Sequence, residues 1–116
     1  MSRTFCHALD DMIEAIDGIE NAVRGKTLAD YQGDWLLKHG VQRGIEIISE
    51  ASRALPDEIR AQHPDIPWPQ IHAVGNVIRH EYHGLSDKII WGVVVDELPA
   101  LRQAVEALSR AFCGGK

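Results

Sequence analysis

The chain has no long hydrophobic run. Its longest apolar stretch, residues 89–95, contains Gly92 and falls far short of the ~18 consecutive apolar residues a membrane-crossing helix needs. Residues 1–10 hold no apolar core of signal-peptide length, so a cytoplasmic protein with no membrane partner is expected. Cysteine is nearly absent. Two residues, Cys6 and Cys113 in a chain of 116, exclude a disulfide-dense scaffold, and in the cytoplasm free thiols are the default expectation. Positive charge is also short: Lys and Arg number 12 against 17 Asp and Glu, a formal net charge of −5. A protein that coats nucleic acid by backbone electrostatics needs the opposite balance, so that class is excluded. A basic pocket within an acidic shell, or a protein partner, stays open.

What is present is ordinary globular material, 45% hydrophobic and 25% charged, at the length of one domain spanning 1–116. Helical periodicity runs through nearly all of it. Leu9, Met12, Ile13, Ile16, Ile19 and Val23 recur at three-and-four spacing, with Ser2 as a cap and Gly25 as a stop. Thr27-Leu-Ala-Asp30 has the form of a capping box with Asp in place of Glu. A stripe of Trp35, Leu37, Val41, Ile45, Ile48 and Leu55 follows, and Pro56 ends it or starts a short helix over residues 57–62. Three prolines within residues 63–69 predict an ordered turn, and Pro69 suits the first turn of a helix over residues 68–82. Ser86 and Asp87 cap the next segment. Its strand-like run over 89–95 has no partner strand and is taken as buried helix. Leu98, Leu101, Val105, Leu108 and Phe112 make a final helix, with Asp96 as its cap and Pro99 in its first turn. The expected fold is an all-α, single-domain bundle of four or five helices.

The densest polar group is His72-Ala-Val-Gly-Asn-Val-Ile-Arg-His-Glu-Tyr-His83. At roughly 100° per residue, with His72 at zero, Asn76 lies near ~40°, Arg79 near ~−20°, His83 near ~20° and His80 near ~80°. Ile71, Val74, Val77 and Ile78 fall on the other half. Three chemistries fit such a face. It is a solvated surface, a metal site using His80 and His83 at i, i+3, or an acid–base site for phosphodiesters. In the third, an imidazole moves a proton near neutral pH and a guanidinium holds phosphoryl oxygens. No carboxylate stands at a matching spacing on that face, which disfavours the metal.

These residues also carry a resemblance. Asp65-Ile-Pro-Trp68, Gly75-Asn76, His80-Glu-Tyr82, Ile90-Trp91 and Leu98-Pro-Ala-Leu101, in that order, are similar to the HepT-like (DUF86) branch of the HEPN superfamily. Ile47-Ile-Ser-Glu-Ala51 resembles that branch's Ile-Ile-Gly-Glu-Ala segment, with Ser49 at the glycine. The resemblance implies an all-helical homodimer and a metal-independent endoribonuclease without cofactor. Its members are toxins of type II/VII-like two-gene modules whose antitoxin is a minimal nucleotidyltransferase. By the same resemblance His80 is the general base on the ribose 2′-OH, Asn76 supports the site, and Tyr82 matches the tyrosine that the partner modifies with AMP. His72 and His83 are candidate RNA-phosphate contacts. The branch places its arginine directly before the asparagine, where this chain has Gly75; Arg79, one turn on, is the candidate to replace it. The alternative is a catalytically degenerate dimer that binds a nucleotide or the nucleotidyltransferase. An arginine restored at 75 is expected to serve as well as Arg79, since both face the same side.

Elsewhere the expectations are structural. Trp35, Trp68 and Trp91 are read as core or dimer-contact aromatics, and His39 and Arg43 as a solvated face. Glu50 is a rim carboxylate or a partner for a base on the motif helix. Neither cysteine has a neighbouring acid or base that would make it a nucleophile.

Overall fold

The computed structural model describes residues 4–80 and 87–114, all of whose regular structure is helical. Four long helices carry the bundle: α1 (Thr4–Val23), α3 (Trp35–Arg53), α5 (Trp68–His80) and α7 (Leu98–Phe112). Short helices α2 (Leu28–Gly33), α4 (Asp57–Arg60) and α6 (Asp87–Gly92) connect them. In space the long helices form a row in which α7 packs on α1, α1 on α3, and α3 on α5.

Each expected stripe lines the core. Leu9, Met12, Ile16 and Ile19 of α1 meet Val41, Ile45 and Ile48 of α3, and Leu98, Leu101, Val105 and Leu108 of α7 close over them. At this packing a buried Leu or Ile contributes about 1.5–3 kcal/mol relative to exposure. Helix α1 ends before Gly25, which takes a left-handed φ of +75° that a side chain would resist. The capping box forms as read: Thr27 N–H donates to Asp30 Oδ2 at 2.9 Å, and Asp30 N–H donates to Thr27 Oγ1 at 3.2 Å. Tyr31 is fully buried, tilted against Trp91 at 5.5 Å, and joins α2 to α6.

Three expectations need correction. Asp96 does not cap α7. Helix α6 continues through a π-helical turn, Val93–Glu97, directly into α7. A cap at Asp96 would need the N–H of Leu98 or of Pro99; Leu98 donates to the Val93 carbonyl and proline has no N–H. The wider turn lets the chain stay helical through Pro99. The same run is buried only on one face: Ile90 and Val94 lie in the core, while Ile89 and Val95 are exposed.

Cys6 and Cys113 are not free thiols but form a disulfide. They are 107 residues apart in sequence, yet the start of α1 and the end of α7 lie side by side, bringing their Cα atoms to 5.8 Å. That is the usual spacing for a bridged pair. Trp35, the third correction, leaves the stripe it was assigned to. It is 70% exposed and stacks on His39 at 4.2 Å, whereas Trp68 is buried. No helix among the described residues is long and apolar enough to cross a membrane.

Candidate functional site

Helix α5 carries the motif and is held against α3 by an unusually close crossing. Gly75 is the contact point. A Cβ placed there would lie 2.6 Å from Ser49 Oγ and 2.7 Å from Ser49 Cβ, nearer than van der Waals contact allows. The hydroxyl occupies that space and bonds to the α5 backbone. Ser49 Oγ–H donates to the His72 carbonyl at 2.9 Å and accepts from Gly75 N–H at 3.3 Å. Gly75 therefore faces α3 rather than the open side of α5. An arginine at 75 is excluded while Ser49 stands opposite, which overturns the expectation that position 75 offers an equivalent place for the guanidinium. Bulk at 49 and bulk at 75 exclude each other, and this chain has its side chain at 49.

The other site residues distribute as follows. Asn76 is exposed, one residue past the crossing. Arg79 and His80 lie on α5 by their backbone, and their side chains lie outside the described residues, as do Tyr82 and His83 entirely. Ile71, Val74 and Ile78 pack against the core as expected, whereas Val77 is 41% exposed on the motif helix. Glu50 is exposed and borders a groove of about 960 Å³ between α1 and α3. No described side chain of α5 lines that groove. Among the described residues no group of three or more His, Cys, Asp or Glu converges as for a metal ion.

His72 sits among cations. Arg60 Nη1 lies 3.2 Å from its Nε2, and Arg53 Nη2 donates to its carbonyl at 2.9 Å. A guanidinium has only protons to offer, so Nε2 must accept and the ring is neutral with its proton on Nδ1. Burial first, then the charges of Arg60 and Arg53, hold the imidazole below its ordinary pKa, against a smaller opposing bond to the Ser52 backbone. Arg60 is positioned by Trp68, whose indole N–H reaches the carbonyls of Arg60 and His63, both at 3.0 Å, and so ties the end of α4 to the start of α5. Sequence reasoning singled out His72 but not Arg53 or Arg60. The i, i+7 spacing of those two arginines spans the break at Pro56, so no helical periodicity joins them.

The family model for ribonuclease HepT-like proteins matches residues 12–108, spanning α1 to α7. The chain belongs to the HepT-like ribonuclease family. It is 32% identical to a protein named probable ribonuclease HepT from Thermococcus cleftensis, over 95% of this chain and all of that one. It is 31% identical to a candidate RNase of Caldanaerobacter subterraneus subsp. tengcongensis, over 86% of this chain and 89% of that one. A candidate RNase of Methanocaldococcus jannaschii is 26% identical, over 84% and 90%. No solved structure matches significantly. The HepT-like resemblance and the all-α fold therefore both hold.

Proposed function

We propose that this HepT-like protein is a metal-independent endoribonuclease that cleaves single-stranded RNA through the ribose 2′-OH. His80 takes the 2′-OH proton, the 2′ oxygen bonds to phosphorus, and the bond to the 5′ oxygen breaks, leaving a 2′,3′-cyclic phosphate. The departing oxygen takes a proton from solvent. Arg79 offsets charge on the phosphoryl oxygens in place of the arginine that Ser49 excludes from position 75, and Asn76 supports the site. His72 and His83 contact flanking phosphates. The observation that carries this reading is the Asn-x-x-x-His spacing on one continuous helix, α5, whose opposite face is anchored on α3. The names of the relatives agree with it.

The protein acts as a homodimer with the two motif helices across a shared cleft, as its likeness to the HepT-like family implies. It serves as the toxin of a two-gene module, restrained by a nucleotidyltransferase that modifies Tyr82. The test is RNA cleavage by purified protein, shown dimeric by light scattering, in the presence of chelator. Cleavage with cyclic-phosphate ends, abolished by His80→Ala, is the expected result. Dependence on a divalent ion, or full activity in His80→Ala, sinks the mechanism. Because position 75 is closed to arginine, a second reading survives. A chain that binds a nucleotide or its nucleotidyltransferase without cleaving RNA is the degenerate dimer.

A further inference from the structure

Seen as charge, the cluster around His72 differs from the acid-paired cations of this chain. Lys38 pairs with Asp87, Arg43 with Glu46, and Arg102 with three carboxylates. Among the described residues no carboxylate pairs with Arg53, whose bond is to a backbone carbonyl. Arg60 bonds the neutral His72 ring and Asp57, a carboxylate whose side chain is 91% exposed and therefore easily exchanged. Arg60 Nε–H is buried without an acceptor. Of the ten N–H donors that two guanidiniums carry, three have a protein acceptor among the described residues. Arg60 and His72 edge a shallow depression of about 340 Å³ between α4 and the start of α5, lined also by Pro64, Trp68 and Pro69, and Arg53 joins them through the His72 carbonyl.

We infer that Arg53, Arg60 and His72 form a phosphodiester subsite that holds an RNA strand before it passes along α5 to the Asn76–His80 turn. The chemistry fits a phosphate: two forked guanidinium donors, one braced by the neutral His72 ring and the other by the His72 carbonyl, with exposed Asp57 as the competing carboxylate among the described residues. The placement fits as well. His72, Asn76 and His80 follow one another on α5 at a rise of about 1.5 Å per residue, so the cluster lies roughly 12 Å upstream of the motif histidine. One strand running along the helix can meet both. The inference rests on the ribonuclease reading and adds Arg53 and Arg60 to it.

The experiment measures binding of a short, fluorescently labelled 2′-O-methyl oligoribonucleotide, which lacks the attacking hydroxyl, by anisotropy across a salt series. Arg53→Ala, Arg60→Ala and Arg53→Gln are compared with Arg110→Ala, which removes the same charge from the exposed last turn of α7. Arg53→Gln removes the charge but keeps the stem and a polar end, and an unchanged circular dichroism spectrum and urea midpoint separate its effect from one of folding. Each cluster variant should weaken binding several-fold and make the slope of log K against log salt shallower by about 0.7, the value for one single-strand phosphate contact. Arg110→Ala should leave the slope unchanged. Wild-type affinity and slope in the cluster variants, or an equal effect from Arg110→Ala, overturns the subsite while wild-type binding keeps the ribonuclease reading. A wild-type chain that does not bind the oligonucleotide overturns both.

Discussion

The two long edges of the helix row treat arginine in opposite ways. On the α1–α7 edge, Arg102 reaches Asp17, Glu20 at 2.8 Å and Glu106 at 2.9 Å, and those acids raise its pKa further. On the α3–α5 edge, Arg53 and Arg60 converge on a carbonyl and a neutral imidazole. A cation surrounded by acids is committed to the scaffold, since an incoming anion would have to displace them. A cation bonded to neutral groups, as Arg53 is, or to one exposed carboxylate besides, as Arg60 is to Asp57, keeps most of its attraction for a phosphate. The α1–α7 edge is further closed by the Cys6–Cys113 bridge, while the α3–α5 edge is joined by apolar packing, by Arg53 and by the Ser49 hydroxyl seated against a glycine. One edge is built for cohesion and the other leaves its polar groups available.

Breaking the closed edge should have the largest effect. The disulfide closes a loop of more than a hundred residues, and cross-linking so long a loop restricts the unfolded chain by about 4.7 kcal/mol, an upper figure that native-state strain reduces. Cys6→Ala with Cys113→Ala, or reduction of the wild type, should lower stability by about 2–4 kcal/mol in a urea titration. The helices should survive by circular dichroism, because the core stripes of α1, α3 and α7 do not depend on the bridge. An unchanged midpoint would mean that the edge is held by packing and the Arg102 network alone.

The second prediction sharpens the other edge. Gly75→Arg should destabilise by about 2–3 kcal/mol, because a Cβ and a long charged side chain are forced against Ser49. Ser49→Gly alone should cost about 1 kcal/mol, the loss of its two bonds to the α5 backbone. Combined, they should recover at least about 1 kcal/mol of the expected sum, since removing the hydroxymethyl opens the space the arginine needs. Strict additivity in urea titrations would show that the two positions do not compete. The same double variant is also the fair test of whether an arginine at 75 supports cleavage in the Arg79→Ala background.

How much of this was legible in the sequence depends on how far apart the interacting residues lie. The capping box at Thr27 and the rhythm from Leu98 to Phe112 were readable because their partners sit within a turn or two of each other. The Gly75–Ser49 contact joins positions 26 residues apart on different helices, and its consequence for position 75 depends on the depth of the crossing. The disulfide failed as a sequence reading for the same reason: opposite ends of the chain are the same end of the bundle. Asp96 misled through a local rule that a second one overrode, since Pro99 removed a donor the cap needed. Arg53 and Arg60 each look like ordinary surface arginines until α3 packs on α5 and Trp68 ties the end of α4 to the start of α5, which brings both to His72.

The smallest effect is a pH dependence confined to the open edge. The His72 imidazole has a lower pKa in the folded chain than its ordinary value of about 6.5, because its partial burial and the two arginines disfavour a third positive charge. Above that ordinary value the ring is neutral whether the chain is folded or unfolded, and the residue adds no pH dependence. As the pH falls below about 6.5 the unfolded chain takes up a proton that the folded chain resists, so stability is lost until the folded-state pKa is passed. His72→Gln keeps a polar side chain and removes the titration. Subtracting its stability from that of the wild type, pH by pH, cancels the carboxylates common to both. The difference should be flat above neutrality and turn against the wild type on the acid side, by less than either substitution above. A difference that moves in favour of the wild type at low pH would mean that His72 is stabilised as a cation. Arg60 would then not be donating to it, and the neutral acceptor that distinguishes this edge from the acid-locked Arg102 would be lost.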